Sequence, residues 1–291
     1  MTRLAALSGA VTISFSAIFY ALSGVDPVTA TFFRTLYALP FLMVIWWLRR
    51  AQDHRPMRSR WMAFGAGLIV AIDLIAWQTS IDYIGTGLAT LIANLQVILV
   101  AVIAWIFLGE EPSRRTKLTI PVVLFGVALV SGMGQAGAFG DDPFLGTLFA
   151  LAAAVLYGSF LLIYRQSNRI KAPAAGPLME ATLGAMVMSL LVGWIGSGID
   201  FAVSWPDHGW LLALALGGFL VGWLLISYAL PRLQAIETST FVLIQPALTM
   251  VWGAWIFSER PSTLQMIGAA IVLIGVGFVA ISEARAKVKV S

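Results

Sequence analysis

The chain has 291 residues, 59% of them hydrophobic and 11% charged, with a formal net charge of +4. A soluble domain carries roughly 25% charged residues, so this chain cannot clothe a soluble core. Apolar residues come in long blocks, which excludes a porin-like barrel, and the absence of cysteine excludes disulfides and thiol chemistry.

A bilayer core of about 30 Å takes roughly 20 apolar residues per helix. Ten runs meet that need, over about 4–23, 27–48, 61–81, 86–107, 118–134, 144–164, 174–197, 209–230, 236–257 and 264–282. Ala21-Leu22-Ser23 resembles a signal-peptidase site, but the first run is expected to stay as a span, because a repeat needs it. With the N-terminus in the cytoplasm, every Lys and Arg except Arg34 and Arg260 falls in an inner segment, while Asp26, Asp82, Asp141, Asp142, Asp200, Asp207 and Glu259 fall outside. That sorting predicts cytoplasmic termini at both ends of the chain. It also explains the basic charge without nucleic acid; the lipid bilayer is the expected partner.

Taken in order, the spans place polar residues as follows. Span 1 carries Ser8, Thr12 and Ser16 at helical spacing, with Tyr20 nearby. Span 2 holds Arg34, seven residues past Pro27, about 10 Å deep at 1.5 Å per residue. Span 3 holds Asp73 at a similar depth, with Trp77 one turn on and then Gln78. Arg34 and Asp73 are therefore expected to lie close enough to pair. Span 4 adds Asn94 and Gln96, span 6 Tyr157 and Ser159, and span 8 Trp223 and Tyr228. Span 7 holds Glu180, which Arg165 could reach by snorkelling. Span 9 carries Gln245 and Thr249 on one face, with Pro246 a candidate hinge.

Charges at membrane depth point to function, and buried amides need a wet cavity or a neighbouring helix. A cavity with aromatic walls, amides and hydroxyls suits a neutral or zwitterionic solute with an apolar body. The expected cavity set is Ser16, Tyr20, Trp77, Gln78, Asn94, Gln96, Tyr157, Ser159, Trp223, Tyr228, Gln245 and Thr249. Arg34, Asp73 and Glu180 are the intramembrane charges.

Spans 4 and 9 end alike. Ala104-Trp105-Ile106-Phe107 leads into LGEEPS, and Ala254-Trp255-Ile256-Phe257 into SERPS. Pro27 precedes Arg34 by the same seven residues that separate Pro173 from Glu180. Residues 1–135 thus read as one five-helix unit and 136–291 as a second. Five is odd, so the second copy enters from the opposite face, the arrangement that supports alternating access.

The ten spans, the repeat and the two WIF endings resemble the EamA-type drug/metabolite transporter superfamily, and within it the bacterial aromatic amino acid exporters. The resemblance implies a central cavity walled by spans 1–4 and 6–9, with spans 5 and 10 peripheral. It also implies export of amino acids or similar metabolites across the bacterial inner membrane; export of drugs, nucleosides or other metabolites is the alternative. No G-x-x-x-x-G-K-[ST] motif occurs, so gradients, not ATP, would drive transport. Neither a cofactor, a metal nor a catalytic group is expected; the oligomeric state stays open, and nothing in the mechanism demands more than a monomer.

Overall fold

A computed structural model describes residues 2–109, 111–168, 173, 175–196, 198–229 and 235–290. At positions 3, 104, 108, 226–229, 235–242 and 283–290 the description is of the backbone alone. The described chain is helical: α1 (Thr2–Ser14), α2 (Ser16–Ser23), α3 (Pro27–Arg49), α4 (Met57–Ala93), α5 (Gln96–Leu108), α6 (Arg114–Val130), α7 (Pro143–Ser167), α8 (Ala175–Ile195), α9 (Asp207–Leu212), a π-helical stretch (Ala213–Val221), α10 (Gly222–Ala229), α11 (Ala235–Ile256) and α12 (Thr263–Val290). No strand occurs among the described residues.

Local chemistry sets the ends. Asp26 caps α3 by accepting from the backbone N–H groups of Val28 and Thr29, with Pro27 at the first helical position. Asp142 and Pro143 repeat the device at α7. Gly24 closes α2 in the left-handed conformation, φ 61°. At 37 residues, α4 would stretch about 55 Å if continuous, far beyond a bilayer core. It is two helices meeting at Gly85, whose φ of 79° and ψ of 170° leave the helical region.

Glu259, from the segment after α11, holds that break. Its Oε1 accepts from the Thr86 backbone N–H at 2.6 Å and the Thr86 hydroxyl at 2.8 Å, and its Oε2 from the Gly87 N–H at 3.1 Å. A carboxylate thus caps the helix that starts at Thr86.

Seven stretches among the described residues are long and apolar enough to cross a membrane, among them Leu4–Ser23, Asp207–Leu225 and Thr263–Ser282. The expected span over 86–107 is divided between the end of α4 and α5. The one over 118–134 falls on α6, and the one over 236–257 on α11.

Helix α4 packs on α7 and α8, α3 on α8, α1 on α10 and α11, α5 on α7, and α6 on α12. The α4–α8 crossing is close. A Cβ at Gly67 would sit 2.0 Å from the Ala181 carbonyl oxygen, and one at Gly184 would sit 2.1 Å from that of Phe64. Only glycine lets these backbones meet. The outside is apolar: Leu118, Val122, Phe125, Ile274 and Phe278 on α6 and α12 are all exposed, as lipid contact requires.

Candidate functional site

Eight of the ten expected spans converge on a cavity of about 330 Å³, in the range of small-molecule sites. α1 and α2 supply Ala10, Ile13 and Ser16, α3 supplies Arg34 and Thr35, α4 supplies Asp73, Trp77 and Thr90, and Asn94 follows directly after α4. Gln96 comes from α5, Tyr157 and Phe160 from α7, Leu178 and Thr182 from α8, Phe219 from the π-helical stretch, Trp223 from α10 and Gln245 from α11. Among the described residues, neither α6 nor α12 contributes a lining residue.

The wall divides by chemistry. Trp77, Phe160, Leu161, Leu178, Phe219 and Trp223 make it largely apolar. Against them stand hydroxyls, three side-chain amides and the two charges Arg34 and Asp73. Buried side-chain polar atoms without a hydrogen-bond partner cluster here. Ser16 Oγ, Arg34 Nε and Nη1, Thr90 Oγ1 and Gln96 Oε1 all belong to lining residues. In a folded interior such groups are normally paired, so the polar side of this cavity is built to meet something other than protein.

Of the expected cavity residues, Ser16, Trp77, Asn94, Gln96, Tyr157, Trp223 and Gln245 line it. Four do not. Tyr20 donates its hydroxyl to Asp82, 2.9 Å from each carboxylate oxygen. Gln78 is fully buried and accepts from Thr31 Oγ1 at 2.8 Å. Ser159 Oγ donates to the Val155 carbonyl. Thr249 Oγ1 donates to the carbonyls of Ser14 and Gln245. Helical phase accounts for two of these: Gln78 is about 100° round the helix from Trp77, and Ser159 about 200° from Tyr157. The Tyr228 side chain lies outside the described residues. Pro246 sits within α11, which stays helical across it.

The charges also differ from expectation. Arg34 and Asp73 face one cavity, yet no hydrogen bond joins them and no ion pair within 4.0 Å is formed. The Arg34 guanidinium carbon instead lies 5.1 Å from the centre of the Phe219 ring, in a cation–π contact. Glu180 is not met by Arg165. Arg55, from the turn between α3 and α4, grips it with Nη1–Oε2 at 2.8 Å and Nη2–Oε1 at 3.0 Å. The same guanidinium binds Asp53 through Nε–Oδ1 and Nη2–Oδ2, both 2.9 Å. Trp46 Nε1 adds a bond to Asp53, and Arg60 approaches both acids at 3.9 Å. Hydrogen bonding to Arg55 holds the Asp53 carboxyl down to a pKa of about 2.

Sequence reasoning missed this trio because its members come from a loop and a span 125 residues apart. The available signal was Asp53, the one acid in a run of arginines.

A multi-pass helical bundle enclosing a solute-sized cavity lined from nearly every span defines a membrane-protein class built around a central chamber. The EamA-like transporter family model matches residues 1–132 and again 144–281. The chain belongs to that family and is a membrane transporter. It is 26% identical over 258 residues to the pseudopaline exporter CntI of Pseudomonas aeruginosa, covering 87% of this chain and 85% of that one. It is 23% identical over 237 residues to the uncharacterized transporter YvbV of Bacillus subtilis, covering 80% and 75%. An uncharacterized transporter of Archaeoglobus fulgidus is 23% identical over 273 residues, covering 90% and 91%. A solved crystal structure matches with a TM-score of 0.62 at 19% identity, covering 98% of this chain and 97% of the other, which speaks to the fold alone.

Proposed function

We propose that the protein is a secondary transporter of the bacterial inner membrane that exports small metabolites, chiefly amino acids with large apolar side chains. It does so by alternating access of two inverted five-helix units, residues 1–135 and 136–291, with both termini cytoplasmic. The observation that carries this reading is the central cavity, walled by helices of both units and apolar over most of its surface. That CntI is an exporter favours the outward direction.

Packing supports the inverted repeat. Counting α1 with α2, α4 to Gly85, the helices from Thr86 to Leu108, and α9 through α10 each as one span gives ten. Exchanging the units turns the α4–α7 contact into α10–α1 and the α5–α7 contact into α11–α1, and maps α3–α8 and α6–α12 onto themselves; all of these are present. The match reaches single residues. A Cβ on Gly126 would lie 3.0 Å from the Gly268 carbonyl oxygen, and their repeat mates, Gly275 and Thr119, also meet. Bending at Pro246 is the proposed hinge of the second unit. On the cytoplasmic side, the Asp53–Arg55–Glu180 trio ties the α3–α4 turn to α8.

Counterflow into proteoliposomes tests the reading. Labelled phenylalanine, tryptophan, a nucleoside and a cationic dye are offered in turn. Exchange of the two amino acids is expected; exchange of the nucleoside or dye alone overturns the cargo assignment. The chain has no cysteine, so it is its own background for single-cysteine labelling. Cysteine at Ser59 should react only from the cytoplasmic side and cysteine at Asp141 only from the opposite one.

A further inference from the structure

Arg34 and Asp73 are 6% and 5% exposed, and both line the cavity. Burying one unpaired ion is costly, and two opposite ions in one chamber would ordinarily collapse onto each other. Here they do not. Nε and Nη1 of Arg34 are buried with no hydrogen-bond partner, and Asp73 takes no hydrogen bond or ion pair from a described residue. Arg55 shows the alternative within the same chain, since every one of its guanidinium nitrogens is bonded. The central pair is therefore a separated cation and anion facing one space, and a solute placed between them completes both.

The matching solute has a carboxylate and an ammonium on one small body. Resting on the amino acid reading above, we propose that Arg34 binds the α-carboxylate of the cargo and Asp73 its α-ammonium, which makes these two residues the determinants of charge selectivity. The guanidinium fork suits a carboxylate. The side chain of the cargo then lies along Trp77, one turn from Asp73, and along Phe160, Leu161 and Trp223. A solute with only an anionic group leaves Asp73 unpaired, and one with only a cationic group leaves Arg34 unpaired. Each therefore binds more weakly than the zwitterion.

Three ligands with one phenyl body separate the roles: phenylalanine, phenethylamine, which lacks the carboxylate, and 3-phenylpropanoate, which lacks the ammonium. Affinities are measured by calorimetry on the full chain in detergent. Each charged contact contributes about tenfold or more in affinity. Wild type should bind phenylalanine at least about tenfold more tightly than either analogue. Arg34→Met should weaken phenylalanine and 3-phenylpropanoate by that factor and leave phenethylamine within about threefold; Asp73→Asn should do the reverse. Should Arg34→Met fail to fold, Arg34→Lys replaces it and should still weaken the carboxylate ligands selectively, since a point charge loses the fork geometry. Equal weakening of all three ligands by both variants overturns the proposal while phenylalanine counterflow by wild type leaves the transport reading standing. Absence of phenylalanine binding and counterflow in wild type overturns both.

Discussion

Two groups of buried charge sit in this bundle, and they are finished differently. At the α3–α4 turn, Asp53 and Glu180 share Arg55 through two-pronged bonds, Arg60 lies 3.9 Å from each acid, and Trp46 fills a remaining acceptor. In the central cavity, Arg34 and Asp73 stay apart, with guanidinium nitrogens left unbonded. The first arrangement is complete as it stands and stabilises the join of turn to helix. The second leaves donors open toward the chamber. The same residue types thus form a structural tie in one place and the proposed recognition site in the other, and the number of satisfied donors tells them apart.

The largest effect should come from opening the tie. Arg55→Ala leaves two buried carboxylates facing each other, and the loss should be about 3–5 kcal/mol. It would be read as a lowered Tm of the purified protein in detergent. Adding Glu180→Gln should restore part of that loss, and an Arg55→Ala protein as stable as wild type would erase the distinction between the two sites.

A smaller change presses on the same tie from the helix side. A Cβ on Gly176 would fall 2.7 Å from Asp53 Oδ2 and 2.8 Å from Arg55 Nη2. These side-chain ends are locked to each other, so Gly176→Ala should cost about 1–3 kcal/mol, measured in the same melt. In the cavity the effect should be smaller. Arg34→Met removes a buried cation that leaves two nitrogens unbonded, at the loss of its contact with Phe219, and should change stability by no more than about 1 kcal/mol. A sharp drop would mean that Arg34 is held by the protein after all.

The smallest effect is a matter of acidity. Asp53 titrates near 2 in the folded chain, below the roughly 3.9 of a free aspartate. Its contribution is therefore complete above about pH 5 and fades as pH falls from there through 2. A melt series from pH 7 to 3 should stay flat for this group until about pH 5, and Asp53→Asn should flatten the acid limb.

Much of this was legible in the sequence. Charges within apolar runs are rare enough that Arg34 and Asp73 stood out, and both line the cavity. The two WIF endings placed the ends of the fourth and ninth expected spans, close to where α5 and α11 end. Contacts between distant segments were not legible. Loop residue Arg55 reaches Glu180 across 125 positions, and Glu259 reaches Thr86 across 173. Rotation was only partly legible. Gln78 adjoins Trp77 in sequence yet points to Thr31, because one residue turns a helix by about 100°.

The grip of Glu259 on Thr86 and Gly87 has a mechanical meaning. It joins the end of α11, in the second half of the chain, to a bend in the first. In the proposed rocking of the halves, that joint would serve as a fulcrum: atoms beside it would travel least, and a modest tilt about residues 85–87 would grow into a wider displacement toward the far face of the bilayer.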